Sequence, residues 1–147
     1  MAVTPNRQRL KKLMGITEEV PRRMNVISVT DTTKVLSATD SGALVLMANA
    51  SGICTITLPA PDVGLHFEIY AATEQAHVIQ TDSEATILQG NYRHNSATTT
   101  MTRIAVVDKK SITLHSSGRA IGDRLEFWSD GTNWYVDGIV NNTLTLA

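Results

Sequence analysis

The chain has 147 residues, enough for one domain with an additional segment but not for two full domains. Charged residues make up 18% of it, below the roughly 25% of an average soluble protein, and the formal net charge is −1. This near balance gives no overall attraction to nucleic acid or to a membrane surface. The longest apolar run is far shorter than the roughly 18 residues of a membrane span, so we expect neither a nucleic acid nor a membrane as partner. The single cysteine, Cys54, excludes an intrachain disulfide.

The first 25 residues differ in charge from the rest of the chain. They carry six basic and two acidic side chains, a net charge of +4, whereas residues 26–147 carry seven basic and twelve acidic side chains, a net charge of −5. We therefore divide the chain into an N-terminal arm, residues 1–25, and a body, residues 26–147. The basic residues of the arm are Arg7, Arg9, Lys11, Lys12, Arg22 and Arg23.

The arm contains the signals of one short helix. Thr4 is a good N-cap, Pro5 suits the first helical turn, and Gly15 can end the helix in the left-handed conformation. A helix of about ten residues is only marginally stable alone, so we expect a partner to order it, with an extended segment following. The cations are interleaved with Leu10, Leu13 and Ile16, which favours docking on a protein surface over pure phosphate binding.

The body shows the alternation of β-strands. Short runs of β-branched and apolar residues are separated by turn sequences every eight to twelve residues, which is typical of an all-β protein. We predict an antiparallel meander folded as a β-sandwich or a jelly-roll-like barrel, in which Gly90–Thr99 is the most exposed loop. The predicted strands are Val26–Thr30, Lys34–Ala38, Ala43–Met47, Ile53–Leu58, Leu65–Ala71, Ala76–Thr81, Ala85–Gln89, Thr100–Val107, Ser111–His115 and Asn141–Ala147.

The clearest local pattern is a hairpin between Asp123 and Gly138. Asp130-Gly131 fits a two-residue type I′ turn, which pairs Phe127 with Trp134 and Arg124 with Asp137. This register gathers Leu125, Phe127, Trp134 and Val136 on a core face and Arg124, Glu126, Trp128, Asn133, Tyr135 and Asp137 on the other face.

No pattern of catalytic or ligand-binding residues appears. The four histidines, at positions 66, 77, 94 and 115, are too dispersed for a metal motif and are interpreted as surface or strand residues. Cys54 lies in a strand and is interpreted as a small buried residue. Asp123, Glu126 and Asp130 are the carboxylates that could form an acid–base pair, but the hairpin register assigns Asp130 to the turn and Glu126 to the solvent face. We predict no enzymatic activity, catalytic residue, metal or cofactor.

Two aromatic residues do suggest a contact. Trp128 and Tyr135 fall on the non-core face of the hairpin, where exposed aromatic side chains often mark binding. We interpret them as a contact with another subunit or with a glycan, and favour the subunit because a carbohydrate site would need further aromatic residues.

Two parts of the sequence resemble a known group of proteins. Ser37-Ala-Thr-Asp-Ser-Gly-Ala-Leu-Val-Leu with the later Thr55-Ile-Thr-Leu-Pro-Ala-Pro, and Gly122-Asp-Arg-Leu-Glu-Phe-Trp-Ser-Asp-Gly-Thr-Asn-Trp-Tyr-Val, are similar to segments of small β-rich structural proteins of tailed bacteriophages. That group includes capsid decoration (cement) proteins and fibre pieces. The resemblance spans Ser37 to Val140 and does not include the arm.

The resemblance implies a role on a virion rather than a reaction. It implies a homotrimer on the capsid surface, made in the host cytoplasm, with the major capsid protein as partner and the arm as the docking element. A tail, baseplate or fibre component that contacts a tail protein and binds a host receptor or glycan is the first alternative. A cellular carbohydrate-binding module and a small hydrolase are the others.

Overall fold

The computed structural model describes residues 24–82, 85–95, 101–115 and 121–147. The predicted helix of the arm therefore lies outside the described residues. So do all the predicted docking residues, which are Arg7, Arg9, Leu10, Lys11, Lys12, Leu13, Ile16, Arg22 and Arg23.

The described residues form twelve strands in two mixed sheets, which confirms the predicted all-β class. A short 3₁₀ turn, Ala38–Asp40, lies between the second and third strands. The strands are β1 Val26–Val29, β2 Thr33–Val35, β3 Leu44–Met47, β4 Thr55–Thr57, β5 Val63–Ala71, β6 Val78–Gln80, β7 Leu88–Asn95, β8 Met101–Lys109, β9 Ser111–Thr113, β10 Arg124–Asp130, β11 Trp134–Val140 and β12 Thr145–Leu146.

The prediction of an antiparallel meander is wrong for the first half of the chain. One sheet has the order β1-β3-β5-β10-β11-β7-β8 and the other has the order β12-β9-β6-β4-β2, so the first six strands alternate between the sheets. Each of these strands runs parallel to its neighbours from the same half. Turn segments such as Leu58–Asp62, with Pro59 and Pro61, carry the chain from one sheet to the other instead of folding it back on the preceding strand.

Both sheets contribute to one hydrophobic core. On the five-stranded sheet, Ile56, Ile79 and Ile112 are fully buried, while the residues on either side of each are only partly buried. On the seven-stranded sheet, Phe67 and Phe127 are cross-strand partners in the same core cluster. This alternation of period two buries one face of each sheet and leaves the other face outside.

The structure corrects the predicted loop at Gly90–Thr99. Residues up to Asn95 belong to β7, which pairs with β8 and β11; residues 96–99 lie outside the described part. Gly90 has a φ of +123°, and a Cβ built there would lie 2.2 Å from the carbonyl oxygen of Val136. The register with β8 also shifts between Leu88 and Gly90. This irregularity breaks the alternation and conceals the strand in the sequence.

The predicted hairpin is present, but its register differs by two residues. Trp128 pairs with Tyr135 and Arg124 with Ile139, so the predicted Arg124–Asp137 pair is wrong. The connection spans Asp130–Asn133, because Asp130 Oδ1 accepts hydrogen bonds from the backbone N–H groups of Thr132 and Asn133, each at 2.8 Å. A shift of two residues preserves the faces of the strands. Leu125, Phe127, Trp134 and Val136 are accordingly buried as predicted.

Candidate binding surfaces

Trp128 and Tyr135 lie next to each other on the outer face of the seven-stranded sheet. They are cross-strand partners, 39% and 41% exposed, and Trp128 is also paired with His66 of β5. The rings of Trp128 and His66 stack, with centroids 5.5 Å apart and an interplanar angle of 24°. The structure thus brings the two predicted aromatic residues together and adds His66, which the sequence did not indicate.

The hydroxyl of Tyr135 is fixed by the turn. It donates a hydrogen bond to Asp130 Oδ2 at 2.9 Å. This bond and the negative charge of Asp130 raise the pKa of Tyr135. The pKa of Asp130 is lowered, chiefly by the hydrogen bonds from the backbone of Asn133 and Thr132 and then by Tyr135. Trp128 and Tyr135, which we call the aromatic pair, therefore lie next to a turn that the carboxylate of Asp130 holds in place.

A polar groove of about 180 Å³ lies beside the aromatic pair on the same face. Its charged groups form ion pairs with one another or with a neighbour. Arg124 contacts Glu126 and, through Nε, Glu68 Oε1 at 2.8 Å, while Arg93 lies 3.8 Å from Asp137. Such half-exposed pairs contribute little stability each, and a ligand would have to displace them. The groove is lined by Arg93, Arg124, Glu126, Asp137, Gly138 and Ile139.

The outer face of the five-stranded sheet has a different chemistry. Its strand positions form two cross-strand rows in which every side chain is uncharged. We call this surface the threonine face. Its residues are Thr33, Thr55, Val78, Thr113 and Thr145 in one row and Val35, Thr57, Gln80 and Ser111 in the other.

His77 is a structural residue, fully buried between two elements. Its Nδ1 accepts a hydrogen bond from the backbone N–H of Cys54 at 3.0 Å, so the ring proton is on Nε2, 2.8 Å from Thr73 Oγ1. Thr73 Oγ1 in turn donates to the carbonyl oxygen of Asn49 at 2.9 Å. Burial lowers the pKa of His77 and raises the pKa of the Cys54 thiol. Cys54 is buried, as predicted, whereas His77 is buried just before β6 and is neither a surface residue nor part of a strand.

Asp123, one of the three carboxylates considered for acid–base chemistry, is buried just before β10. Its Oδ1 accepts hydrogen bonds from the backbone and the side chain of Asn141, at 2.7 and 3.1 Å, and its Oδ2 has no hydrogen-bond partner. Burial raises the pKa of Asp123 to about 6, against the lowering effect of Asn141 and then of His115. The carboxylate ties the start of β10 to the segment that follows β11, which is a structural role.

Among the described residues, no group of three or more His, Cys, Asp or Glu side chains is placed to hold a metal ion. The same part of the chain contains no helix with the length and apolar character needed to cross a bilayer.

No family model matches the chain, and no curated protein matches it either. The interpretation of function therefore depends on the sequence pattern and on the surfaces described above.

The sequence reasoning missed the threonine face. A signal for it exists, because Thr55-Ile-Thr57, Ser111-Ile-Thr113 and Thr143-Leu-Thr145 each place hydroxyls on both sides of an apolar residue. What the sequence does not contain is the pairing that sets these short segments side by side in one sheet.

Proposed function

We propose that this protein is a non-enzymatic virion structural protein that decorates and stabilises an assembled icosahedral head. The observation that carries the proposal is the division of the chain into a basic arm of net charge +4 and an acidic, two-sheet body of net charge −5. The body offers broad outer faces, and two of its buried titratable groups, His77 and Asp123, are engaged in structural hydrogen bonds. This arrangement suits attachment better than turnover of a substrate.

In this proposal the two sheets stack as a sandwich, three bodies form a homotrimer over a junction of the major capsid protein, and the arms run along the shell surface. One arm makes a modest contact, but three arms joined through one trimer bind with a high effective concentration. A protein that binds only the assembled shell stabilises it by mass action. The arm residues Arg7, Arg9, Lys11, Lys12, Arg22 and Arg23 supply electrostatic docking, and Leu10, Leu13 and Ile16 supply apolar anchors.

The test compares charge reversals of equal size in the arm and in the body of the full-length chain. We expect the double variant Arg9→Glu, Lys12→Glu to bind empty heads of the major capsid protein at least about tenfold more weakly, because attractive contacts become repulsive. The matched control is Arg103→Glu, Lys109→Glu, which changes the net charge by the same amount on β8. Binding is measured by co-sedimentation with the heads.

The control variant should bind within about twofold of the wild type. A wild type that does not sediment with the heads, or two double variants that bind equally well, would contradict the proposal. Deletion of residues 1–25 should abolish co-sedimentation while the circular dichroism of the body stays β-type, and normal binding by this truncated chain would exclude the arm as the docking element.

One observation favours the alternative of a tail, baseplate or fibre component that binds a host receptor or glycan. The aromatic pair Trp128 and Tyr135 lies beside a polar groove that contains both guanidinium and carboxylate groups. A sugar can stack on the aromatic rings and form hydrogen bonds with the charged groups. A glycan array probed with the full chain tests it. A hit that is lost in Trp128→Ala and kept in Ser28→Ala supports this alternative, and an array without hits counts against it.

A further inference from the structure

We infer that the threonine face is the surface through which copies of this chain associate around a symmetry axis. The inference rests on the proposed homo-oligomer and adds the surface that builds it. It assigns subunit contact to the five-stranded sheet, whereas the sequence had suggested Trp128 and Tyr135 on the other sheet.

Charge favours the threonine face for self-association. The body has a net charge of −5, so two copies repel each other, and this repulsion is weakest where the facing surfaces carry no charge. Residues close to a symmetry axis approach their own copies, so a charged side chain there meets identical charges. The nine residues of the threonine face include no charged side chain, and depletion of charge is the composition that marks the core of an interface.

The outer face of the seven-stranded sheet gives the contrast. Glu68 of β5 is paired with Glu126 of β10, and Glu126 is paired with Asp137 of β11, so three carboxylates lie in one row across neighbouring strands. Arg124 and Arg93 neutralise them within the same chain. Bringing a second copy against this row would place carboxylates near carboxylates and would remove ion pairs from water at a cost.

The threonine face is also self-complementary in hydrogen bonding. Six of the nine residues carry a hydroxyl group, which donates one hydrogen bond and accepts others. Two copies of a hydroxyl-rich surface can therefore satisfy each other, which two copies of a carboxylate-rich surface cannot do. Gln80 already shows the pattern within one chain, because its Nε2 donates to Thr57 Oγ1 on the next strand at 3.2 Å.

The shape of the threonine face also suits a contact between copies of the chain. Neighbouring strands lie about 4.8 Å apart, so five strands form a strip roughly 20 Å wide, and the β-branched residues give it an even surface of methyl and hydroxyl groups. Val35, at one edge, is 68% exposed and adds apolar area. A strip of this size is smaller than a standard interface. We therefore expect association at micromolar concentrations, strengthened when the copies sit together on a shell.

The test uses four variants of the full-length chain. Each variant carries one added lysine, and two of the lysines lie on each outer face. Thr55→Lys and Thr113→Lys lie in the threonine face, whereas Tyr135→Lys lies in the aromatic pair and Ser28→Lys lies on the exposed side of β1. All four variants change the net charge equally. Sedimentation velocity from about 1 to about 200 μM covers the range expected for a small interface.

We expect the wild type to associate, and Thr55→Lys and Thr113→Lys to weaken association at least about tenfold, because a charge is then buried against its own copy. Tyr135→Lys and Ser28→Lys should stay within about twofold of the wild type. A wild type that stays monomeric throughout, a loss confined to Tyr135→Lys, or an equal loss in all four variants would each overturn the inference.

If the lysine variants fail to fold, two cysteine variants test the same surface by disulfide cross-linking. Cys54 is fully buried, so a cysteine added at the surface is the thiol that reacts. Thr113→Cys should give disulfide-linked dimers under mild oxidant and Ser28→Cys should not; the reverse result overturns the inference. Failure of the proposed function is distinguishable, because an oligomer that forms through the threonine face and does not sediment with heads contradicts decoration alone.

Discussion

At Asp123, burial and hydrogen bonding act in opposite directions on one carboxyl group. Burial dominates and raises its pKa from 3.8 to about 6. Because the folded state then binds the proton more tightly than the unfolded state, this group favours folding most below about pH 4. That contribution, about 3 kcal/mol for a shift of this size, is lost as the pH rises through about 6.

Replacing the carboxyl by an amide should remove this dependence. In Asp123→Asn the side-chain oxygen can still accept hydrogen bonds from Asn141, and the ionisation is gone. We expect the free energy of unfolding to exceed that of the wild type by up to about 3 kcal/mol at pH 7.5 and to match it near pH 4. Urea unfolding at the two pH values measures this.

The control for this comparison is Asp137→Asn. The side chain of Asp137 is 45% exposed, and its ion pair with Arg93 is long, at 3.8 Å, so the substitution should affect stability much less at either pH. A gain for Asp123→Asn that is no larger at pH 7.5 than at pH 4 would show that the carboxyl is not the titrating group.

His77 contributes with the opposite sign. Burial lowers the pKa of His77 below its usual value of 6.5, so its contribution to stability is present above that value and is lost as the pH falls through the folded pKa. The stability of the wild type at mildly acidic pH is therefore the balance of a gain at Asp123 and a loss at His77. For this reason the difference between variants is more informative than either curve alone.

The Tyr92 hydroxyl provides a second test at single-residue scale. Tyr92 is fully buried and its hydroxyl accepts a hydrogen bond from the backbone N–H of Leu144 at 3.1 Å. Tyr92→Phe leaves that N–H buried without its partner, so we expect a loss of about 1–3 kcal/mol in the free energy of unfolding. Tyr135→Phe, on the exposed side of β11, should change stability little by comparison. Equal losses in guanidinium unfolding would argue against a structural role for the Tyr92 hydroxyl.

At the scale of the elements, β7 depends on the absence of a side chain at one position. Gly90→Ala would place a Cβ 2.2 Å from the Val136 carbonyl oxygen in a φ region that L-residues rarely adopt. We expect a loss of at least about 3 kcal/mol, because the parallel pairing of β7 with β11 must open. Thermal unfolding measures it.

The matched control is Gly52→Ala. A Cβ at Gly52 meets no atom within 4 Å, so this variant should unfold within a few degrees of the wild type. If the two alanine variants proved equally stable, the close approach of β7 and β11 at Gly90 would be wrong.

The sequence predicted which side chains of the β10–β11 hairpin are buried, but not how the strands are aligned. Alternation identifies a face, and a shift of two residues leaves every face unchanged, so Leu125 and Trp134 are correctly placed in either register. Only the side-chain bonds of Asp130 and Ser129 to the turn backbone select the longer connection. Alternation also carries no information about which strands pair with each other, so the parallel pairs β1–β3 and β2–β4 were not predicted.

The candidate surfaces show the same limit. The exposed position of Trp128 and Tyr135 follows from the local pattern, and the structure confirms it. The threonine face needs strands from distant parts of the chain, such as Thr33 and Thr113, to be set in one sheet, and no local pattern carries that information. The docking residues of the arm stay a prediction.

At the scale of the whole molecule, the two sheets should unfold together. Both contribute to one core cluster, and the indole N–H of Trp134 on one sheet donates to the carbonyl oxygen of Pro59, beyond β4 of the other, at 3.2 Å. In Trp128→Phe the fluorescence reports Trp134 alone. We expect its urea transition to coincide with that of the far-ultraviolet circular dichroism, as for a two-state domain. Two separated midpoints would show that the sheets are independent.

The position of the β10–β11 hairpin has a consequence for synthesis. It lies between β5 and β7 in the seven-stranded sheet, although β5, β7 and β8 all precede it in the chain. During synthesis those three strands leave the ribosome before Arg124 does. Until the hairpin has emerged, β5 and β7 are therefore unpaired on the sides that the hairpin later occupies. Because unpaired edges invite pairing with other chains, the nascent protein is most vulnerable to aggregation just before residues 124–140 are made.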